Sequence, residues 1–340
     1  MNHRFLTSLG VTALAIGLTV TLLAPLPAAA QATKAPAPAA KSDTAKPWTG
    51  KTPDGVPDLQ GYWTNNSYTP LQRANGVTKE FFTKQEWLDN NKRSAERESA
   101  QTEPGTVADV HYDFTQFGLD RSQTRLAENL RTSVIVEPAN GKLPPTTPEG
   151  QKRAADKAAE RRNQGAQYDK VQNIVLGSRC VYSGGAPPMM PPGYNPAYQI
   201  VQSPGYVTIL IEMQHETRVI PLDGRPHAPS SIRSWLGDSR GHWEGDTLVV
   251  EVRGLNGRSW LDQAGNFMGA GAHVVERFRL TGKDTLDYQA TVENPSVFSR
   301  PFTVRVPLRR RPADVELLEY GCIEGERDAA HLPAVNGEKK

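Results

Sequence analysis

Residues 273–294 read HVVERFRLTGKDTLDYQATVEN. Val274, Glu276, Phe278 and Leu280 alternate with Val275, Arg277 and Arg279. Successive side chains of an extended chain point to opposite faces, so the alternation predicts a strand with one wet face. The TGKD break at 281–284 predicts a tight turn, and TLDYQATVEN resumes as a second strand. The same signature recurs on both sides: YQIVQ, YVTILIEM, ETRVIPL, TLVVEV, FTVRVPLRR and ELLEYG are short, β-branched or aromatic, and bounded by Gly, Pro, Asp or Asn. Short strands joined by tight turns pair sequentially and antiparallel. About eight of them are expected to curl into a barrel or a strongly curled sheet, which limits exposed edges.

Upstream the pattern becomes helical. Thr83-Lys84-Gln85-Glu86 is a capping box that predicts a helix to about Ser99, packed by a narrow stripe including Trp87. Thr147-Pro148-Glu149 places an N-cap before a proline at the first helical position, and its helix continues through QKRAADKAAERRN. Thr132–Val136 reads as a short strand closed by the turn Ala139-Asn140-Gly141. The expected fold class is α+β, with an antiparallel barrel at its centre and two or three peripheral helices.

The chain opens with a basic start at His3 and Arg4, an apolar run Leu9–Leu23 and Ala28-Ala29-Ala30, the pattern of a secretory signal peptide over 1–30. Gln31–Lys46 is Ala, Pro and Lys without an apolar pattern and reads as a flexible linker. Residues 47–333 are expected to form a single β-rich domain, with a helical insertion at about 79–165 and a β meander at about 197–322. The expected location is the periplasm or the exterior, with no membrane span after cleavage. The formal net charge is +2, which offers no basic face for nucleic acid. The two cysteines, Cys180 and Cys322, are expected to form one disulfide in an oxidising compartment, tying together the two ends of the meander.

The densest polar stretch is WLGDSRGHWEGDTLVVEV at 235–252. Glu244-Gly245-Asp246 is most simply a hairpin turn, and Gly237-Asp238 a second one. Arg240 and His242 lie between them on one strand face. His215, at the end of the most apolar strand, is a second candidate acid/base. A hydrolase or lyase would use His242 or His215 as base, Asp238 to orient it and Arg240 to hold an anionic group. The bland alternative is an exposed strand face. Arg225, Arg233 and Arg240 occupy a short run that could form an anion site, with His227 beside them. Met189 and Met190, between proline pairs, form a stiff loop followed by Tyr194 and Tyr198; with Trp243 they are candidate ligand contacts, or else a connection packed on the core.

Other chemistries lack a signature. His215, His227, His242 and His273 are irregularly spaced, with no HExxH and no Cys partner, so no metal is expected. Ser183-Gly184-Gly185 and Ser239-Arg240-Gly241 are not nucleophile elbows. No GxGxxG or P-loop occurs, so no cofactor is expected. The favoured expectation is a periplasmic protein that binds a small, partly apolar or anionic molecule in a barrel cavity. Alternatives are a cofactor-independent hydrolase or lyase and a structural cell-envelope protein.

Two resemblances accompany these readings. PDLQGYWTNNSYTPL (57–71), RTSVIVEPANGKLPP (131–145), the run at 191–227, the stretch at 235–252 and VERFRL (275–280) together resemble a family of uncharacterised exported bacterial proteins. That resemblance implies a shared single-domain architecture and assigns no activity. Separately, Gly61-Tyr62-Trp63 resembles the first strand of lipocalin-type (calycin) barrels, where the Trp closes the barrel floor.

Overall fold

The computed structural model describes residues 50–98, 128–163, 170–174, 176, 179–181, 187–191, 197–259, 261, 265–312 and 317–319. The described residues belong to one compact unit. Its centre is a nearly closed antiparallel barrel of β1 (Gly61–Thr64), β3 (Ala197–Ser203), β4 (Tyr206–Ile211), β5 (Glu216–Pro221), β6 (Asp238–Glu244), β7 (Thr247–Arg253), β8 (His273–Gly282), β9 (Thr285–Glu293) and β10 (Phe302–Arg310). The strand order is β5-β4-β3-β1-β10-β9-β8-β7-β6. The short β2 (Ile135–Glu137) continues the β1 side of β10.

Two helices lie outside this path, α1 (Lys84–Glu98) and α2 (Pro148–Arg162). Both start as expected. The Thr83 hydroxyl accepts from the Glu86 amide at 3.2 Å while Glu86 accepts from the Thr83 amide at 2.8 Å. Thr147 accepts from the Gly150 amide at 3.0 Å. Among the described residues no helix is long and apolar enough to cross a membrane.

The alternation in β8 and β9 is realised. Val274, Glu276 and Phe278 face inward beside Leu286, Tyr288, Ala290 and Val292, all buried. Four features differ from the sequence expectation. The apolar strand after Gly205 stops at Ile211, because Glu212–His215 turn back with Gln214 and His215 at positive φ. The short strand expected at Thr132–Val136 begins only at Ile135. ELLEYG is not a strand where it is described: Leu317–Glu319 is irregular, and the Leu318 amide donates to the buried Glu212 carboxylate at 3.3 Å. Asp238 is not in a turn; it is the first residue of β6.

All eight neighbouring pairs along the path are antiparallel. An antiparallel ring closes only with an even number of strands, because direction must alternate around it. With nine on the path, β5 and β6 necessarily run the same way. Side-chain proximity agrees: Arg218 meets Ser239 and Ile220 meets Gly241, both advancing together. Residues 222–237 must therefore return along the barrel before β6 starts. Their amides are fixed at opposite ends: Leu222 donates to Gly205 and Ser234 to Gly254, at 2.8 and 2.9 Å. We call this segment the strap. Among the described residues β5 and β6 share no ladder, so the barrel has one seam, closed by side chains.

Small residues on β6 make that closure possible. A Cβ at Gly241 would lie 2.7 Å from Leu222 Cδ2 and 2.9 Å from Ile220 Cγ2. Gly241→Val is expected to push β6 off β5 and cost about 1–3 kcal/mol, the usual range for overpacking. Urea unfolding checks this, with faster hydrogen exchange confined to β5 and β6 as the local signature.

Candidate functional site

The barrel interior carries a buried polar network. Glu276 on β8 and Arg218 on β5 are both fully enclosed. Arg218 Nη1 donates to Glu276 Oε1 at 3.1 Å and Nη2 to Oε2 at 2.5 Å; Nη2 also donates to Ser239 Oγ at 3.3 Å. The Tyr288 hydroxyl donates to Glu276 Oε1 at 2.8 Å and accepts from the Met189 amide at 2.7 Å. Burial pushes the Tyr288 hydroxyl well above its ordinary pKa, and the Glu276 charge adds to this, so the phenol remains a donor. Burial pulls the Arg218 value down, but the Glu276 charge outweighs it and raises the guanidinium pKa. Within this network, Arg218 Nε is buried without a hydrogen-bond partner among the described residues.

Arg218 also lines a cleft of about 380 Å³ at the seam, where β5 and β6 begin. Val181, Val219, Trp235 and Leu236 supply apolar wall, and Glu216 and Asp238 supply carboxylates. A second hollow of about 420 Å³ lies beside α1, around the Lys79–Glu86 ion pair and Arg93. Its charged side chains are about half exposed, and it has no buried polar group of the Arg218 kind.

The polar stretch at 238–246 lies on the outer face of β6 and its hairpin. His227, from the strap, places Nδ1 2.9 Å from Asp238 Oδ2 and Nε2 3.5 Å from Glu251 Oε2. The Ala228 amide donates to the same Asp238 oxygen at 2.9 Å. Arg240 donates to Asp238 Oδ1 at 2.5 Å and to the strap carbonyl of Pro226 at 3.1 Å. His273 and Arg253 reach Glu251 Oε1 at 2.7 and 2.5 Å. This is a latch holding the strap across β6 and β7. His227 Nδ1 is engaged by Asp238 and its Nε2 faces Glu251 without a hydrogen bond, so the ring acts as a clamp through its Nδ1 side.

Asp238 and Arg240 thus come together, but with His227 rather than with His242 or His215. His242 is exposed and pairs with Glu244 at 3.2 Å, and His215 is exposed on the turn after β4. Arg225, Arg233 and Arg240 do not converge as an anion site. Arg225 is taken by Asp223 and by the Tyr206 hydroxyl, and Arg233 is exposed. Met189 and Met190 are buried in the core, with the Met189 carbonyl accepting from Asn65 at 3.1 Å. Tyr198 is fully buried and Trp243 packs against the core. Tyr194 and Cys322 lie outside the described residues. Among the described residues no group of three or more His, Cys, Asp or Glu side chains is placed to hold a metal ion.

The latch is expected to respond to acid. Burial raises the Asp238 pKa, but the Ala228 amide, His227 and Arg240 outweigh it and leave it below the ordinary value. Glu251 is likewise raised by burial and lowered more by Arg253, His273 and His227. A carboxylate with a depressed folded-state pKa contributes stability above its ordinary pKa and loses it as pH falls through the folded value. The strap is therefore expected to loosen as pH drops below about 4. Limited proteolysis across pH 7 to 3, with cleavage mapped to 222–237 before the barrel unfolds, checks this.

No family model matches the chain, and no curated protein matches it. Among solved structures, the chain is similar to a secretary abundant heat soluble (SAHS) protein from Ramazzottius varieornatus, at 9% identity over 34% of this chain and 70% of that one, with a TM-score of 0.22. A likeness that remote carries no argument about function.

Proposed function

We propose that the protein binds a small, partly apolar molecule in the seam cleft, with Arg218 as its polar anchor. The observation that carries this is the buried, unpartnered Arg218 Nε on a residue that lines an open cleft. Leaving a buried donor unmet costs about 1–3 kcal/mol, a cost that an acceptor bound in the adjoining cleft would relieve. The apolar wall around it suits a molecule of mixed character. The barrel interior is filled by Trp63, Met189, Tyr198, Phe278, Tyr288 and Phe302, which favours the seam over the barrel axis as the binding place.

The signal-like start and the resemblance to exported bacterial proteins support function in the periplasm or beyond, with Cys180 and Cys322 joined. Resistance of both thiols to alkylation until reductant is added is the expected result for that pairing. A lipocalin-like barrel is supported by the sequential strand order and by Gly61-Tyr62-Trp63. Arg310 of the last strand lies 4.2 Å over the Trp63 ring, and its Nη1 would sit 2.6 Å from a Cβ at Gly61. The Gly-x-Trp spacing therefore has a physical reason here: the glycine makes room for the cation that covers the ring.

Native mass spectrometry of protein purified from its own host tests the binding. A co-purifying small molecule is expected. It should be lost in Val219→Trp, which fills the cleft from an exposed strand position and leaves the buried network alone. No bound molecule in the parent protein, or retention in Val219→Trp, removes the reading.

A further inference from the structure

The guanidinium of Arg218 is already committed in a way that restricts what the cleft can accept. Its end-on pair of N–H groups, one on each Nη, grips both Glu276 oxygens, and its remaining Nη2 hydrogen goes to Ser239. A carboxylate or phosphate is held best by two parallel N–H groups and a net positive charge. Arg218 has neither to offer: the Nη2 hydrogen parallel to Nε–H is used, and Glu276 cancels the charge. Glu276 cannot swing aside, because Tyr288 holds it as well and it is fully enclosed. The cleft also carries Glu216 and Asp238, and Asp238 already has its own cation in Arg240, so the cleft wall holds no spare positive charge on that side. An incoming anion at Nε would meet a single N–H on a guanidinium whose charge Glu276 already balances, and would lose its hydration to do so. A neutral oxygen needs only the single donor.

We propose that the seam cleft selects a neutral hydrogen-bond acceptor, an amide, ester or ketone oxygen, over a carboxylate or phosphate, and that Glu276 sets this preference. This rests on the reading of the cleft as a binding site. Glu276 touches no ligand; it is a specificity-determining residue that acts through Arg218. The anionic ligand that the sequence alone leaves open is thereby disfavoured.

Matched probes on the full chain at pH 7 test it, with the indole N–H resonance of Trp235 in the cleft wall as the local reporter. Benzamide against benzoate, and phenylacetamide against phenylacetate, differ only in the group of interest. The amides are expected to shift the Trp235 resonance with dissociation constants at least tenfold lower than the acids. Glu276→Gln should reverse the order, because the guanidinium regains a net charge. Ser239→Ala, a milder change, should narrow the preference severalfold by freeing the hydrogen beside Nε, and serves where Glu276→Gln does not fold. Acids that bind the parent protein as tightly as the amides overturn the selectivity while leaving the binding site in place. An unchanged order in folded Glu276→Gln overturns the role of Glu276. If neither member of either pair moves Trp235 at millimolar concentration, the binding site and its selectivity fall together.

Discussion

Arg218→Met is expected to lower the unfolding free energy by about 3–5 kcal/mol, the cost of leaving a buried charge without its partner. Glu276 is enclosed on β8, and among the described residues only the Tyr288 hydroxyl still donates to its side chain in this variant. Methionine fills most of the volume, so the loss reports the charge rather than a cavity. The double variant Arg218→Met/Glu276→Gln should recover most of that loss, since a neutral amide still accepts from Tyr288 and carries no uncompensated charge. Urea midpoints for the parent, the two single variants and the double variant close the cycle and isolate the coupling between the pair. A loss under about 1 kcal/mol in Arg218→Met, with no recovery in the double variant, would show that Glu276 is not held as an ion. The pair also fixes the seam, because Arg218 is the residue through which β5 reaches both β8 and the start of β6.

That pair was readable in part. In ETRVIPL, Arg218 sits in phase with Ile220, and in HVVERFRL, Glu276 sits in phase with Val274 and Phe278. A charge on the apolar phase of a strand is the sign of a buried ion, and two of opposite sign suggest each other. The barrel strands, both helix starts and the Glu244–Asp246 hairpin follow from local signals, namely alternation, capping boxes and turn glycines. The latch does not. Asp238 and Arg240 stand out by density alone, but their partner is His227 on the strap. Only the antiparallel path, with its odd strand count, brings the strap back along β6 and β7. His242 is in phase with Arg240 and equally conspicuous in sequence, yet the outward face of β6 leaves it at the surface. The direction of a strand face depends on the register of the whole sheet, which no window of residues contains. The seam is likewise a count over the entire chain.

Trp63→Ala is expected to cost about 3–5 kcal/mol, the usual loss for a large aromatic removed from a core, and to do so unevenly. Trp63 is fully buried, donates its indole N–H to the Leu59 carbonyl at 2.8 Å and lies under the Arg310 guanidinium. It stands in register with Arg310 where β1 meets β10. That ladder has two residue pairs, Trp63–Arg310 and Thr64–Arg309, against eight between β9 and β10. Yet it is the ladder that joins the β3–β5 sheet to the β6–β10 sheet, since β5 and β6 share none among the described residues. The side chain therefore supplies much of the cohesion at the narrowest join in the barrel. Arg310 is partly buried and burial lowers its pKa, so removing the ring beneath it withdraws a favourable contact from a cation already short of solvent. Native-state hydrogen exchange should show β3–β5 opening at lower free energy than β7–β10 in Trp63→Ala, where the parent protein opens both together. Uniform protection loss across all strands would mean that the two halves are held through the seam instead, and that the Arg218 contacts carry more of the closure than the β1–β10 ladder does.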